Sequence, residues 1–446
     1  MSGCNKIALF LYICILHCSQ KSNTLLRDMR VYHYTYPYEV DNRNAGLEVR
    51  EGEEIFEHEH EQLLNARLND IAPIEVWTAT GTNAQVSYAT HGLFRYFGKF
   101  PSTIAAHLIH EYTQEGDVVM DPMAGSGTTA LECLLSNRNC HSFDINPLSV
   151  LLAKVKTTKV DKDALLAELD VIKEQYRPLS VDEFNRAPVG LRNPDHWFMS
   201  STQSSIRGLL KIIEDIADQD IRDFFTICLC SIIRNVSRAT SQQGRLFLDA
   251  LSAKADCLDV FVKKAEKGID RVSKLPVSQV DLNIRTHNIS ETIDDVNCRL
   301  IILHPPYFNS YKYSSVNSLE LSWLGYDQAD VRKGEVREFF KVGKAEKVDA
   351  YVQDMKKALL NISETLHVNG VLGMMIGDTV IKGEYIPATR MLIDAFLSEN
   401  PDIVVEKVVL RVPKYTEASW SASQRRTTDK VGITLSDFIV IFRKLA

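Results

Sequence analysis

The sequence predicts an α/β fold, in which a mainly parallel sheet is flanked by helices and interrupted by a large helical insertion. Three observations lead to this prediction. A short strand, a glycine-rich turn and a helix occupy residues 116–137, and a second strand and helix follow directly. Residues 160–275 then carry helical patterns, and strands return at residue 279. Strands that alternate with helices are typical of a parallel sheet, because neighbouring parallel strands need a crossover between them.

The elements of the first half follow from apolar spacing and from turn residues. The acidic segment 45–62 is expected to be a solvated helix or loop, because charged residues dominate it. Ser102 precedes apolar residues at helical spacing and is the expected N-cap of a helix. The elements expected next are a strand at 116–121, a helix at 127–137, a strand at 140–146 and a helix that begins at Pro147.

The second half starts with apolar runs that read as strands. The elements expected there, in order, are strands at 279–288 and 298–303, a helix at 349–370 that ends at a glycine, a strand at 371–378, a helix at 386–400, and a closing antiparallel pair at 402–413 and 435–444. Together with the first half, these strands are enough for one large sheet.

Composition excludes some classes of protein. The 446 residues are 45% hydrophobic and 24% charged, with a net charge of −7, which is unlike a protein that coats nucleic acid in bulk. A local basic groove remains compatible with that charge. The nine cysteines are irregularly spaced and form no Cys-x-x-Cys pair. We therefore expect no metal site, no disulfide framework, and a reducing, cytoplasmic location.

The N-terminus carries a short apolar segment, KIALFLYICILHCSQK, that is similar to the apolar part of a signal peptide and too short to span a bilayer comfortably. The rest of the chain has the character of an intracellular protein without a membrane segment. We interpret residues 1–28 as an extension outside the fold, with translation starting at Met29 as its simplest form. A working export signal is the alternative.

Residues 118–132, VVMDPMAGSGTTALE, place two glycines between a strand and a helix. Gly125 and Gly127 let the backbone approach a ligand closely, and the following helix presents free N–H groups. Asp121 and Asp144 end neighbouring strands, and an acid at the second strand end commonly binds ribose hydroxyls. No lysine follows the second glycine, so this is not a P-loop. On these residues alone, a nucleotide-binding loop and a plain glycine turn both remain open.

The strings DPMAGSGTT and FDINP resemble motifs I and II of S-adenosylmethionine-dependent methyltransferases. In that family the glycine loop passes under the methionine part of the cofactor and the later acid takes the ribose. The segment RYFGKFPSTIAAHLI resembles motif X of the same enzymes. The resemblance implies a Rossmann-like class I methyltransferase sheet and S-adenosyl-L-methionine as the cofactor. The cofactor-binding residues it implies are Phe97, Lys99, Pro101, Asp121, Pro122, Gly125, Ser126, Gly127, Thr128, Thr129, Asp144 and Ile145.

The catalytic candidates are His304, Pro305, Pro306 and Tyr307, which directly follow the apolar run CRLIIL. An exocyclic amino group is a poor nucleophile, because its lone pair is delocalised into the base ring. A carbonyl held between two prolines and a neighbouring side-chain acceptor can hold the amino hydrogens, and an aromatic ring can stack on the base. On the residues alone, a proline turn that merely ends a strand is equally compatible.

The string HPPY resembles motif IV, Asp/Asn/Ser-Pro-Pro-Tyr/Phe, of the amino-methylating DNA methyltransferases, the bacterial N4-cytosine and N6-adenine group. The sequence departs from that family at His304. A neutral imidazole has one acceptor nitrogen and loses it on protonation, so we expect methyl transfer to fall as the pH drops through the histidine pKa. Motif III is poorly matched, and Asn288 is its candidate contact with the cofactor adenine.

The motif order leaves the insertion as the candidate target-recognition region. Arg234, Arg238 and Arg245 lie among residues suited to phosphates and base edges, and Arg425 and Arg426 lie in another basic stretch. We expect these arginines to contact DNA; a helical subdomain that packs on the sheet or dimerises is the alternative. The predicted regions are the extension (1–28), an N-terminal region (29–89), a cofactor-binding half (90–160), the insertion (161–278) and a catalytic half (279–446).

The resemblance implies a site-specific DNA methyltransferase that acts on cytosine N4 or adenine N6 of a flipped base. It also allows for paired restriction or defence proteins. Two alternatives stay open: an RNA amino-methyltransferase, since some tRNA guanine-N2 enzymes share a Pro-Pro-Tyr motif, and an inactive binding protein that keeps the methyltransferase fold.

Overall fold

The computed structural model describes residues 30–33, 46–80, 85–240, 246–249, 256–308, 313–336, 346–381, 384–412 and 435–446. The predictions made for residues 1–28, Arg245, Arg425 and Arg426 lie outside these described residues. No helix among the described residues is long and apolar enough to cross a membrane.

The chain builds the sheet in two parts, with the insertion between them. The first part contains β1 (Arg30–His33), β2 (Gly46–Glu51), α1 (Glu57–Asn65), β3 (Ile74–Thr80), α2 (Ser102–Tyr112), β4 (Val118–Asp121), α3 (Thr128–Leu135), β5 (Asn139–Asp144) and α4 (Pro147–Thr157). The insertion contains α5 (Lys162–Gln175), α6 (Pro194–Trp197), α7 (Ser200–Asp215), α8 (Gln219–Val236), the short hairpin β6 (Ala239–Thr240) and β7 (Phe247–Leu248), and α9 (Cys257–Val272).

The last part returns to strands. It contains β8 (Leu282–Thr286), β9 (Cys298–Leu303), α10 (Tyr313–Val316), α11 (Ser318–Trp323), α12 (Gln328–Lys333), α13 (Glu346–Glu364), β10 (Leu366–Gly377), β11 (Thr379–Ile381), β12 (Glu384–Ile386), α14 (Ala388–Leu397), β13 (Ile403–Val412) and β14 (Asp437–Lys444).

Ten strands form one mixed sheet in the order β1-β2-β3-β13-β14-β10-β9-β4-β5-β8. The five strands from β8 to β10 run parallel, and β14 is inserted antiparallel between β10 and β13. From β4 the chain first adds β5 and β8 on one side and then crosses to β9 and β10 on the other. Ligands bind where the strand order reverses in this way, at the carboxyl ends of the strands. The predicted Rossmann-like α/β sheet with a helical insertion is confirmed.

The N-terminal region was the least accurate part of the prediction. Residues 46–51, expected to lie in a solvated helix or loop, form strand β2 and bury Leu47 and Val49. Leu47 and Val49 alternate with charged residues, as is typical of a strand with one buried face. The many glutamates around them favoured the interpretation as a solvated segment instead. Strand β3 was not predicted at all. With β1, these strands extend the same sheet beyond β13.

Two element boundaries also differ from the prediction. Strand β10 starts at Leu366, whereas a helix had been expected to continue to Gly370. Asn369 adopts a left-handed φ of 61°, and the pairing with β9 shifts between Leu366 and Val371, which indicates a bulge. Ser102 is the first residue of α2 rather than its N-cap, and its hydroxyl donates to the carbonyl of Val86 at 2.9 Å.

The insertion shares its hydrophobic core with the sheet domain. Its apolar residues pack against Leu148, Leu152 and Val155 of helix α4 and against Leu319 and Trp323 of α11. Separate apolar layers cover the two faces of the sheet. Helix α4 is therefore covered by the insertion instead of by solvent.

Candidate active site

A cleft of about 870 Å³ opens at the carboxyl edge of the parallel strands. Four neighbouring strands each place one polar side chain in its wall: Asp121 from β4, Asp144 from β5, His287 directly after β8, and His304 directly after β9. The sequence separates these residues widely, and the strand order brings them to one edge. The cleft therefore lies at the topological switch point, where an open α/β sheet binds its ligands.

The glycine loop is fixed to the end of strand β5 by backbone hydrogen bonds. The carboxylate of Asp144 accepts the Gly125 N–H at 2.7 Å with one oxygen and the Asn146 N–H at 2.8 Å with the other. Gly125 and Gly127 have φ values of 50° and 69°, in the left-handed region that favours glycine. A Cβ on Gly127 would also lie 2.7 Å from Cα of Ala153, so helices α3 and α4 approach closely only with glycine there.

Burial changes the protonation of both acids in the cleft. Desolvation raises the pKa of Asp121 to about 7, although hydrogen bonds lower it partly. Desolvation likewise raises the pKa of Asp144 to about 6, against the opposing effect of its backbone N–H donors. A cationic ligand would restore the charged forms of both carboxylates. The two carboxylates therefore favour a ligand that carries positive charge or donates hydrogen bonds.

His304 is held in the cleft wall between two aromatic rings. Its ring lies 5.4 Å from that of Phe100 and 5.3 Å from that of Tyr307, centroid to centroid, and its Nε2 is 3.3 Å from the Tyr307 hydroxyl. Burial lowers the pKa of His304 to about 3, and the positive charge of Arg411 adds to this effect. The imidazole is therefore neutral and keeps one acceptor nitrogen.

The proline turn after β9 is anchored from behind. The buried hydroxyl of Tyr351 donates to the carbonyl of Pro306 at 2.8 Å, and Pro306 lines the cleft. The ring of Tyr307 lies against Gly377, where a Cβ would come within 2.9 Å of it. Tyr307 is not among the residues that line the cleft, so its stacking on a base stays a prediction. The Pro305 carbonyl lies between the two prolines, as the sequence requires.

The segment that resembles motif X faces the cleft with a different set of residues from those predicted. Tyr96, Gly98 and Phe100 line the cleft, whereas Phe97, Lys99 and Pro101 do not. Cofactor contacts of Phe97, Lys99 and Pro101 stay a prediction, and Tyr96, Gly98 and Phe100 are further candidates in the same segment. The Lys99 ammonium instead donates to the His91 carbonyl at 3.2 Å, and Pro101 precedes helix α2 as its N-cap.

The glycine loop agrees better with its prediction. Asp121, Pro122, Gly125, Ser126, Asp144 and Ile145 all line the cleft. The remaining predicted residues, Gly127, Thr128 and Thr129, lie behind it at the start of α3, and the Thr128 hydroxyl donates to the Phe100 carbonyl at 3.3 Å. Asn288, the motif III candidate, also lines the cleft beside His287 and Ile289.

A lysine that the sequence analysis did not single out supports the loop. Lys156 is only 1% exposed, and its ammonium donates to the Ser126 carbonyl at 2.7 Å. Leu148, Leu152 and Lys156 follow each other at intervals of four residues on α4, which places the lysine on the buried face of this helix. This spacing was readable in the sequence. The wall formed by Gly334, Glu335 and Val336 had no such local signal.

Of the three insertion arginines predicted to contact DNA, the two that the structure describes differ in their surroundings. Arg234 is 12% exposed and bonds to Glu320 and Asn317 at 2.7 and 2.9 Å, with its guanidinium 5.1 Å from the centre of the Phe97 ring. These contacts give Arg234 an internal partner that the sequence did not predict. Arg238 is more exposed and donates to the carbonyl of Asp195 at 3.2 Å. Neither contact tests binding to DNA.

Comparison with known proteins agrees with the motifs. Residues 14–154 match a family model described as DNA methylase. The Type II methyltransferase M.MjaII of Methanocaldococcus jannaschii is 37% identical over 98 residues, which are 21% of this chain and 18% of that protein. M.MvaI of Kocuria varians is 22% identical over 46% of this chain and 50% of its own length. M.BsoBI of Geobacillus stearothermophilus is 24% identical over 56% of this chain and 55% of its own.

The chain thus spans about half or less of these relatives. Among solved structures, the rRNA methyltransferase aviRa from Streptomyces viridochromogenes covers 82% of this chain and 94% of its own at 11% identity, with a TM-score of 0.30. A likeness at that level carries no argument about the substrate of this chain. The family match and the relatives confirm the resemblance drawn from the motifs: this chain is related to the N4/N6 family of amino-methylating DNA methyltransferases.

Proposed function

We propose that this chain transfers a methyl group from S-adenosyl-L-methionine to an exocyclic amino group, cytosine N4 or adenine N6, of a base in DNA. One observation carries the proposal. Asp144 at the end of β5, the glycine loop after β4 and the turn with His304 after β9 all open on the same cleft, from three strands that are adjacent in the sheet. A methyl donor and an amine acceptor bound there would meet inside one enclosed space.

The residues that would hold the cofactor are Asp121, Gly125, Ser126, Asp144 and Ile145. Asp144 has remaining lone pairs for the ribose hydroxyls, because each of its oxygens accepts one backbone N–H. Asp121 offers a carboxylate to the cationic methionine end. When bound, the cofactor supplies an electrophilic methyl group on a sulfonium.

His304 and the Pro305 carbonyl would hold the two hydrogens of the target amine. This arrangement would free the nitrogen lone pair of the target amine, so that the amine could act as the nucleophile toward the methyl group that the bound cofactor would supply. The nitrogen must then lose a proton. An imidazole with a pKa of about 3 can accept a hydrogen bond from the amine but is too weak a base to take its proton. The proton therefore passes to solvent.

DNA contact is the part of the proposal that involves the insertion. Arg238 is the described candidate for a phosphate contact, and Arg245, Arg425 and Arg426 are further candidates outside the described residues. A paired nuclease or defence partner is a further possibility that the resemblance allows. The N-terminal extension has no role in this proposal.

The test is methylation in vitro with labelled S-adenosylmethionine and, in parallel, duplex DNA of mixed sequence and total tRNA. We expect label in DNA, with N4-methylcytosine or N6-methyladenine as the product in hydrolysed DNA by mass spectrometry. Long-read sequencing of DNA from expressing cells would give base and target site together. Label in tRNA alone would favour the RNA alternative, and cofactor binding without any transfer would favour an inactive binding protein.

A further inference from the structure

The outer wall of the cofactor cleft comes from a segment outside all the cofactor motifs. Gly334, Glu335 and Val336 line the cleft directly after helix α12. We propose that Glu335 is a further cofactor-binding residue, whose carboxylate accepts a hydrogen bond from the nucleoside half of S-adenosylmethionine. The inference rests on the proposed function, because it concerns the same cleft.

Close packing of Gly334 locates this wall. A Cβ on Gly334 would lie 1.9 Å from Cδ1 of Ile145 and 3.8 Å from Nδ2 of Asn288. Ile145 directly follows Asp144, the proposed ribose acid, and Asn288 is the candidate adenine contact. The segment is therefore seated on the nucleoside end of the cleft, and Glu335 is its next residue. Only a residue without a side chain lets the wall come this close.

The chemistry of the nucleoside half matches a carboxylate at this position. Ribose hydroxyls and the adenine amino group are hydrogen-bond donors, and an ionised carboxylate is an acceptor only. Asp144 already uses one lone pair on each oxygen for a backbone N–H. A second acidic side chain adds acceptors on the wall that packs against Ile145, and a hydrogen bond to a charged acceptor is stronger than one between neutral groups.

The insertion holds this wall in place. Val331 is buried in the core of the insertion, whereas Val336 is buried in the core of the sheet, so the segment bridges the two. Upstream, the Ser322 carbonyl accepts the Val189 N–H at 2.9 Å, and Glu320 bonds Arg234 of α8. Because Val331 and Val336 anchor the segment on both sides of Glu335, its position does not depend on the residues of the cofactor motifs.

The first test compares Glu335→Gln with Asp330→Asn, an exposed acid on the same segment, by calorimetry with S-adenosylmethionine and with its demethylated product. We expect Glu335→Gln to weaken binding of both ligands about tenfold, the scale of one charge-assisted hydrogen bond. Asp330→Asn should bind as the wild type does. Equal affinity of wild type and Glu335→Gln for both ligands would overturn the proposal.

The donor is identified with product analogues that lack the 2′-hydroxyl or carry a carbonyl in place of the adenine amino group. Each analogue should bind the wild type more weakly. One of the two groups is the partner of Glu335. The Glu335→Gln variant should bind the analogue that lacks this group as tightly as it binds the unmodified product, because the contact is already lost. If both analogues keep their full penalty in the variant, Glu335 contacts neither group and the proposal fails.

A second test probes the wall independently of charge. Gly334→Ala should weaken binding, because its Cβ would push Ile145 into the cleft. Ile145→Val removes Cδ1, so the double variant should bind more tightly than Gly334→Ala alone. Additive losses would show that the wall does not rest on Ile145. A wild type that binds the cofactor but fails to methylate DNA would sink the proposed function and leave this inference standing.

Discussion

His304 is the residue in which this cleft departs from the motif that it resembles, and it carries the first prediction. His304→Ala should lower the single-turnover rate of methyl transfer by about 10²–10⁴, the range for a positioned acid–base group, because the target amine loses an acceptor. His304→Ser and His304→Asp supply an oxygen acceptor and should recover part of the rate. Cofactor affinity should be the same in all three variants, since the glycine loop is untouched. Full activity of the alanine variant would show that His304 has no part in methyl transfer and only follows the end of strand β9.

The expected pH dependence of His304 is a fall in rate as the pH drops through the histidine pKa, which is about 6.5 for an ordinary histidine and lower for a buried one. Burial moves the pKa to about 3, so the acceptor nitrogen is kept at every pH above that value. With saturating cofactor, His304 should contribute no acid limb between pH 5 and 9. A limb near pH 6 that disappears in His304→Ser would show that the imidazole is solvated.

The two acids of the cleft carry the second prediction, because they titrate between pH 5 and 9, where His304 is expected not to titrate. The pKa is about 7 for Asp121 and about 6 for Asp144, so both carboxylates lose protons as the pH rises from 5 to 8. A cationic cofactor binds their charged forms, and its affinity should therefore rise over that range with release of protons. Calorimetry at pH 6 in two buffers of different ionisation enthalpy measures the release.

Asp144→Ala is the matched variant for this pH experiment. It should weaken cofactor binding by about 1–3 kcal/mol, the scale of a lost hydrogen bond to a charged group, and should remove part of the proton release. Cofactor affinity that is constant from pH 5 to 8 in the wild type would mean that neither carboxylate changes its charge on binding.

Lys156 carries the third prediction, since it supports the loop without reaching the cleft. Lys156→Met should weaken cofactor binding, because it leaves the Ser126 carbonyl buried without its donor at a cost of about 1–3 kcal/mol. Its effect should appear in the KM for the cofactor and not in the single-turnover rate at saturation. Lys156→Arg should recover part of the affinity. Lys154→Met, an exposed position on the same helix, is the control and should bind normally.

At the scale of elements, the sequence predicts well where the local pattern and the tertiary environment agree. Strands β4 and β9 are mostly apolar runs before turn residues, β5 ends just before the Asn146–Pro147 helix start, and all three were predicted close to their bounds. Strand β2 was missed, because its glutamates obscure the alternation of buried and exposed residues; its partners, β1 and β3, are its neighbours in sequence. The cleft wall at Gly334 was missed for a different reason: its partner, Ile145, is remote in sequence, and no periodicity reports such a contact.

The C-terminal end of helix α8 and the residues directly after it carry the fourth prediction, which separates Arg234 from Arg238. Arg234→Ala should destabilise the protein by about 3 kcal/mol, because it leaves Glu320 buried without its partner. The salt dependence of DNA binding should not change in this variant. Arg238→Ala should fold normally, and if its guanidinium contacts phosphate, the slope of log affinity against log salt should be shallower by about one unit. Equal slopes for Arg238→Ala and wild type would favour packing or dimerisation as the role of this surface.

At the scale of the whole molecule, the insertion and the sheet behave as one structure. Helix α4 belongs to the sheet domain by topology, yet Leu148, Leu152 and Val155 are buried in the core of the insertion. Helix α11, which follows the His304–Tyr307 turn in the chain, contributes Leu319 and Trp323 to the same core. The sequence places an insertion at residues 161–278 but does not show that its core is completed by helices on both sides of it. Removal of the insertion would therefore expose apolar surface on α4 and α11.

The shared core leads to the last prediction, that insertion and sheet unfold together. Hydrogen exchange measured by mass spectrometry across a urea series should give the same denaturant dependence for buried amides of α8 in the insertion and of β9 in the sheet. Leu152→Ala on α4 removes packing from the shared core and should lower the stability of both by about 2–5 kcal/mol. The demethylated cofactor product at about 100 times its Kd should raise both by about 2.7 kcal/mol, although it contacts only the cleft. Exchange of α8 at lower urea than β9, or protection of β9 alone by the ligand, would show that the insertion is an independent unit and that Val331 and Val336 do not couple it to the cleft.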